Sequence, residues 1–294
     1  MAISSISGTT FWRLAGAVAL CLGTLVGCAS LDSKQGQWIF NPSERSWGDS
    51  ATVAGNMQEA WISYPSQVTG QAVKLHTLVH PSAQPNAPVM LYLHGARWNV
   101  SGSAYRIQRM QELGFTVVAV DYRGFGKTSA ETPSEKMAYE DAQATWQWIA
   151  TTYPGQPRYI FGHSLGGAIA IELASKVADE KGTIVEGTFT SIPDVASSMR
   201  WGWLPFTALI TQRFESIKKV ASIGSPLLVV HGSNDQLIKP ALGRKLFDAA
   251  AEPKRFVLVE GGSHHNTNSV GQPAYKAALA ELFGLAPAQT LVVQ

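Results

Sequence analysis

Ser164, Asp235 and His264 carry side chains that together can perform nucleophilic acyl transfer. A serine hydroxyl is a weak nucleophile until a base takes its proton. A histidine serves as that base when an acid holds its ring in one orientation. Ser164 stands in Gly162-His163-Ser164-Leu165-Gly166, with glycines two residues before and two after it. This spacing suits a sharp strand-to-helix turn that exposes the hydroxyl, with small neighbours so that the helix packs close; Gly167 and Ala168 continue the smallness. Asp235 follows PLLVVHG in HGSNDQLIKP, and His264 follows RFVLVEGG in GGSHHN. His265 competes for the role of base, but His264 takes the usual place in the glycine-rich loop. Asp194, in TSIPD, is the next candidate acid, though it follows a different strand.

An oxyanion formed in such a reaction needs two backbone donors. Leu165 N–H, first after the nucleophile and at a helix start, is one. The other is expected in the turn of LYLHGARWN, from Ala96, with Arg97 as the fallback. His94 precedes that turn and reads as structural. DYRGFGKT ends like a phosphate-binding loop, but Asp121 stands where that motif requires glycine, so Asp121 and Arg123 read as structural. The adjacent histidines have no spaced carboxylate or cysteine beside them, and neither a metal nor an organic cofactor is expected.

The elements that must position these residues alternate. Apolar runs at 72–80, 88–95, 116–124, 158–164, 183–189, 226–232 and 255–262 read as strands. Most are nearly continuous Val, Leu, Ile and Phe, as in a mostly parallel sheet covered on both faces. Helical patterns fall between them at 104–113, 136–152, 165–178, 240–250 and 272–284. The expected fold class is therefore α/β, a mostly parallel central sheet flanked by helices in one domain. Ligands of such sheets bind beyond the carboxyl ends of the strands, which is where all three candidates fall. Residues 32–70 show no clear place and are read as a segment packing across the sheet. Residues 190–222 interrupt the rhythm and are read as a short lid. Its Met199, Trp201, Trp203, Leu204 and Phe206 would cover the serine, or else simply pack the insertion onto the sheet.

Composition narrows the function classes. The 294 residues are 45% hydrophobic and 15% charged, enough for one large core. A net charge of +2 with no basic stripe gives no reason to expect a nucleic-acid partner. At the N-terminus Arg13 precedes the apolar run LAGAVALCLGTLV, short for a spanning helix but suited to an export signal. Leu25-Val26-Gly27-Cys28 resembles the lipobox of bacterial lipoproteins, which implies acylation of Cys28 and removal of residues 1–27, Cys21 among them. An ordinary cleaved signal and an uncleaved anchor are the alternatives. The expected organisation is a signal at 1–27, an anchor and lead-in segment at 28–70, a body at 71–286 with its lid at 190–222, and a tail at 287–294. Ala29 after the cysteine implies the outer membrane if the host is Gram-negative, and otherwise the cell envelope.

With these residues in place, the chain resembles the α/β-hydrolase superfamily. It is most similar to the single-domain branch holding lysophospholipases and protein-depalmitoylating thioesterases. The matching blocks are LYLHG, DYRGFGKTS, YIFGHSLGGAIAIELA, TFTSIPDVA, PLLVVHGSNDQLIKPALGRKLF and VEGGSHHN. The resemblance implies that Ser164, Asp235 and His264 are nucleophile, acid and base, in the superfamily's chain order. Two positions depart from the branch: Ala96 stands where asparagine is frequent, and His265-Asn266 follow the base where Asn-Asp is frequent. The expected activity is hydrolysis of carboxylic esters, lysophospholipid-like or of medium chain length. Thioester hydrolysis, an amidase or aminopeptidase activity, and a catalytically silent envelope scaffold are the alternatives.

Overall fold

The computed structural model describes residues 30–43, 49–199 and 205–285. The expected signal, Cys28, and Trp201, Trp203 and Leu204 of the expected lid lie outside the described residues.

Eight strands form one sheet. They are β1 (Gln58–Pro65), β2 (Ala72–His80), β3 (Val89–Leu93), β4 (Thr116–Val120), β5 (Arg158–His163), β6 (Glu180–Glu186), β7 (Leu227–Gly232) and β8 (Lys254–Val259). Their order across the sheet is β1-β2-β4-β3-β5-β6-β7-β8. β1, β2 and β4 pair antiparallel, and every pair from β4 to β8 is parallel. β3, β4 and β7 are buried at every position because helices cover both faces, which is why their sequences lack polar alternation.

The helices are α1 (30–40), α2 (Ser50–Gly55), α3 (Ala104–Glu112), α4 (Glu135–Thr152), α5 (Leu165–Ala174), α6 (Ile192–Ser198), α7 (Pro240–Ala249), α8 (Thr267–Val270) and α9 (Gln272–Phe283). One core cluster gathers Phe40 of α1, Trp146 of α4, Ile169 of α5 and Leu246 of α7 on one face of the sheet. Ala54 of α2, Ile107 of α3 and Leu279 of α9 belong to the cluster on the other face. Local chemistry sets several boundaries. The Ser134 hydroxyl accepts the Met137 N–H at 3.3 Å to start α4, and Ser191 caps α6 by accepting from Asp194 N–H at 3.1 Å. Gly284, at φ +66°, ends α9 in the left-handed conformation. No helix among the described residues is long and apolar enough to cross a membrane.

One region differs from the sequence expectation, and the expected lid is described only in part. Residues 32–70 contain a regular edge strand, β1, every residue of which pairs with β2, from Gln58↔Val79 to Pro65↔Ala72. Only Ile62 of β1 is buried, so its sequence carries little of the hydrophobic signal that marks the inner strands. The segment 190–222 holds α6 and three short 3-10 turns, and it packs against α1 and α4. Gln35 of α1 donates to Leu209 O and accepts from Thr211 N–H, both at 2.7 Å. Phe214 is fully buried, with Phe40 and Tyr139 at ring distances of 5.7 and 5.6 Å.

Candidate active site

The chain enters the site through the turn between β5 and α5. Ser164 takes φ +55° and ψ −119°, a conformation that holds its side chain clear of the helix that begins at Leu165. Close packing permits the turn only because its glycines have no Cβ. A Cβ on Gly162 would stand 2.2 Å from Gly166 O, and one on Gly166 would stand 2.1 Å from Leu93 O. Two hydrogen bonds pin the strained residue from the end of β6 and the loop after it: Ser164 N–H donates to Glu186 O at 2.9 Å, and Thr188 Oγ1 donates to Ser164 O at 2.8 Å.

β7 and β8 deliver the other two residues. His264 Nε2 lies 3.0 Å from Ser164 Oγ, and its Nδ1 lies 2.7 Å from Asp235 Oδ2. A carboxylate only accepts, so Nδ1 carries the hydrogen and the Nε2 lone pair faces the serine. The other carboxylate oxygen of Asp235 accepts from Leu237 and Ile238 N–H at 2.9 and 2.8 Å. Burial works to raise the pKa of Asp235, but hydrogen bonds from His231 and His264, the His264 charge and the Ile238 N–H outweigh it. The carboxyl is held well below the ordinary range. Asp194 lies elsewhere, bonded to Thr190 Oγ1 and 3.7 Å from Lys245 Nζ.

Both expected donor positions flank the serine. Leu165 N–H opens the ten-residue α5, whose dipole favours negative charge there. The turn after β3 comes close as well, since a Cβ on Gly95 would stand 3.1 Å from Ser164 Cβ. Arg97 N–H, the alternative donor, is engaged by Phe40 O at 2.8 Å, which leaves Ala96 at that turn. β3 and β5 are neighbours at the point where the chain changes direction across the sheet, the usual place for a ligand crevice.

A layer of residues that the sequence left unassigned supports this constellation. Arg106 of α3 donates through Nε to Glu186 Oε1 at 3.0 Å and through Nη2 to His265 O at 3.3 Å. Tyr275 of α9 donates to the other oxygen of Glu186. His163 lies 3.0 Å from His264 O through Nε2. Burial, then the Arg106 and His264 charges, hold the pKa of His163 well below its usual value, so the ring is neutral and Nε2–H donates. Glu186 was hard to find because TIVEGTF reads as an ordinary strand end. Its partners Arg106 and Tyr275 are 80 and 89 residues away in the chain.

Farther from the serine, Asp121 accepts from Val100 N–H at 2.8 Å, and its second oxygen lies 3.0 Å from His76 Nδ1. Arg123 is fully buried against Asp141 and Glu140, at 2.9 and 2.6 Å. His94 is buried with Nδ1 2.7 Å from Gly95 O.

The serine opens into a cavity of about 350 Å³. Ala96, Trp98, Tyr105, Leu237 and His265 contribute to its walls, with arginines from the β3–α3 loop and α3. Among the described residues, none from 190–222 lines it, and Met199 is exposed at the surface. The described apolar wall comes from the β3–α3 loop, the start of α3 and Leu237 of the β7–α7 loop.

A family model described as serine aminopeptidase, S33, matches residues 84–217, which include Ser164 but stop short of Asp235 and His264. The lysophosphatidylserine lipase ABHD12 of Danio rerio is 35% identical over 193 residues, 59% of this chain and 50% of that protein. The uncharacterized protein Rv2307c of Mycobacterium tuberculosis is 33% identical over 183 residues, 62% of this chain and 64% of that protein. The matches thus span between half and two-thirds of these relatives' lengths. Among solved structures, the Pyrococcus furiosus esterase Pf2001 superposes with a TM-score of 0.64 at 19% identity, over 82% of this chain and 94% of that one.

Proposed function

We propose that this chain, which has the α/β-hydrolase fold, is a serine hydrolase cleaving carboxylic esters. The observation that carries the reading is the unbroken hydrogen-bond series Asp235–His264–Ser164, assembled from the ends of three strands. In the proposed cycle, His264 Nε2 takes the hydroxyl proton as Ser164 Oγ bonds to the carbonyl carbon. The carbonyl oxygen gains the negative charge, and Leu165 and Ala96 N–H groups stabilise it. Collapse breaks the bond to the leaving oxygen, which receives the proton from His264. Water then gives its proton to His264 and attacks the acyl-serine; collapse releases the acid and returns the proton to Ser164. Asp235 keeps the imidazole in its working tautomer throughout.

The apolar part of the cavity and the likeness to a lysophosphatidylserine lipase favour single-chain acyl esters. A thioester fits the same geometry. Amide cleavage is the second reading, favoured by the serine aminopeptidase model. Acylation at Cys28 would place this site at the surface of a bacterial envelope membrane, close to lipids.

A p-nitrophenyl ester series from two to sixteen carbons tests the reading, with Ser164→Ala as control. Turnover abolished in the variant and maximal at eight carbons or longer is the expected result. A maximum at two to four carbons removes the lipid assignment. No serine-dependent turnover at any length, together with no fluorophosphonate labelling, removes the enzyme.

A further inference from the structure

We propose that the cavity beside Ser164 contains an anion subsite, in which Arg109, assisted by Arg97 at the rim, binds a phosphate or carboxylate group carried by an amphiphilic ester. The inference rests on the ester-hydrolase reading of the same cavity and adds the charge of its substrate.

The lining is one-sided. Arg97, Arg106 and Arg109 all contribute to the cavity wall, and among the described residues no aspartate or glutamate does. One of the three charges is already balanced, since Arg106 pairs with buried Glu186 at 3.0 Å and also holds His265 O. Arg106 is therefore part of the frame. Arg109, one turn farther along α3, is half-buried and has no carboxylate within ion-pair distance among the described residues. Its place in the last turn of α3 favours a cation but supplies no counter-charge. Burial and the neighbouring Arg106 press its pKa below the usual guanidinium range, and the charges of Glu112 and Glu186 offset this only in part. His265 senses the same field: burial, then His264 and Arg106, lower its pKa, and Arg97 adds to the effect.

A partly desolvated guanidinium with no ion-paired carboxylate among the described residues gains most from a ligand anion. Its planar fork matches two oxygens of a phosphate or carboxylate at once. Trp98, Tyr105 and Leu237 line the same cavity and supply apolar surface. Charge and apolar wall together fit one small amphiphile better than either fits alone.

The test is calorimetric titration of the purified chain with octyl phosphate, octanoate and octanol, repeated on Ser164→Ala. At least one anion is expected to bind on the order of tenfold more tightly than octanol. That margin should shrink with added salt, fall to about threefold or less in Arg109→Gln, and survive in part in Arg109→Lys. Arg97→Gln, at an exposed position that leaves the fold alone, should lower it partially, whereas Lys181→Gln on the far surface should not change it. Preference for octyl phosphate would identify a phosphate-bearing ester, and preference for octanoate a carboxylate-bearing one. Equal binding of octanol overturns the proposal, as does a margin that Arg109→Gln and Arg97→Gln both leave intact. Binding does not require turnover, so failure of the ester assay and failure of this titration are separate results.

Discussion

At the scale of single residues, Asp235 shows how environment assigns a role. One oxygen takes two backbone N–H groups and the other faces His264, and these contacts outweigh the cost of burial. Because its folded pKa lies below the unfolded value of about 3.9, the stability it contributes is complete above that pH and is lost as pH falls below it. Melting temperatures of wild type and Asp235→Asn should therefore differ most above about pH 4 and converge in stronger acid. Ester turnover in Asp235→Asn should fall on the order of a thousandfold or more, because an amide presents a donor where the imidazole needs an acceptor. Convergence at neutral pH, or wild-type turnover in the variant, would refute this account. Ser164, Asp235 and His264 were legible because each is a reactive type placed just after an apolar run. Arg109 and Glu186 were not, since an arginine in a helix and a glutamate at a strand end are commonplace until their neighbours are known.

Elements convert those residues into geometry. The β5–α5 turn works because α5 packs so closely that Gly166 nearly touches the carbonyl end of β3. Gly166→Ala would put a Cβ 2.1 Å from Leu93 O, and backbone cannot move aside as a flexible side chain would. We expect a loss of about 1–3 kcal/mol on chemical denaturation, with turnover falling disproportionately as Ser164 shifts. A neutral Gly166→Ala would mean that the turn is looser than described. The segment 190–222 makes the opposite point. Phe214, which is not one of the expected lid residues, is buried between Phe40 and Tyr139, away from the cavity wall. Phe214→Ala should cost about 3–5 kcal/mol in stability while leaving KM for short esters unchanged. A raised KM at unchanged stability would return that segment to the site. An apolar run in an insertion has the same composition whether it covers a ligand or the body, so sequence alone could not separate the two.

For the whole molecule, the parallel sheet gathers distant pieces of chain at one edge, and acylation of Cys28 is our proposal for what would hold that edge at a membrane. Cys28→Ser should move the protein from the membrane fraction to the soluble fraction of its host without changing turnover of soluble esters; persistence in the membrane would remove the lipid-anchor proposal. Strand and helix positions from 72 onward were readable because buried strands are continuously apolar and helices repeat every three to four residues. β1 escaped notice because an edge strand buries little, so its pairing with β2 is carried by backbone hydrogen bonds, which no side-chain pattern reports. By itself the sequence determined the fold class and pointed to Ser164, Asp235 and His264, which the structure brings within hydrogen-bond distance, since each depends on local spacing and on the order of elements. Tertiary structure decided which arginine is balanced by Glu186 and which described loops meet at the cavity. Those outcomes depend on contacts between side chains far apart in the chain, where electrostatics and packing act on distance in space.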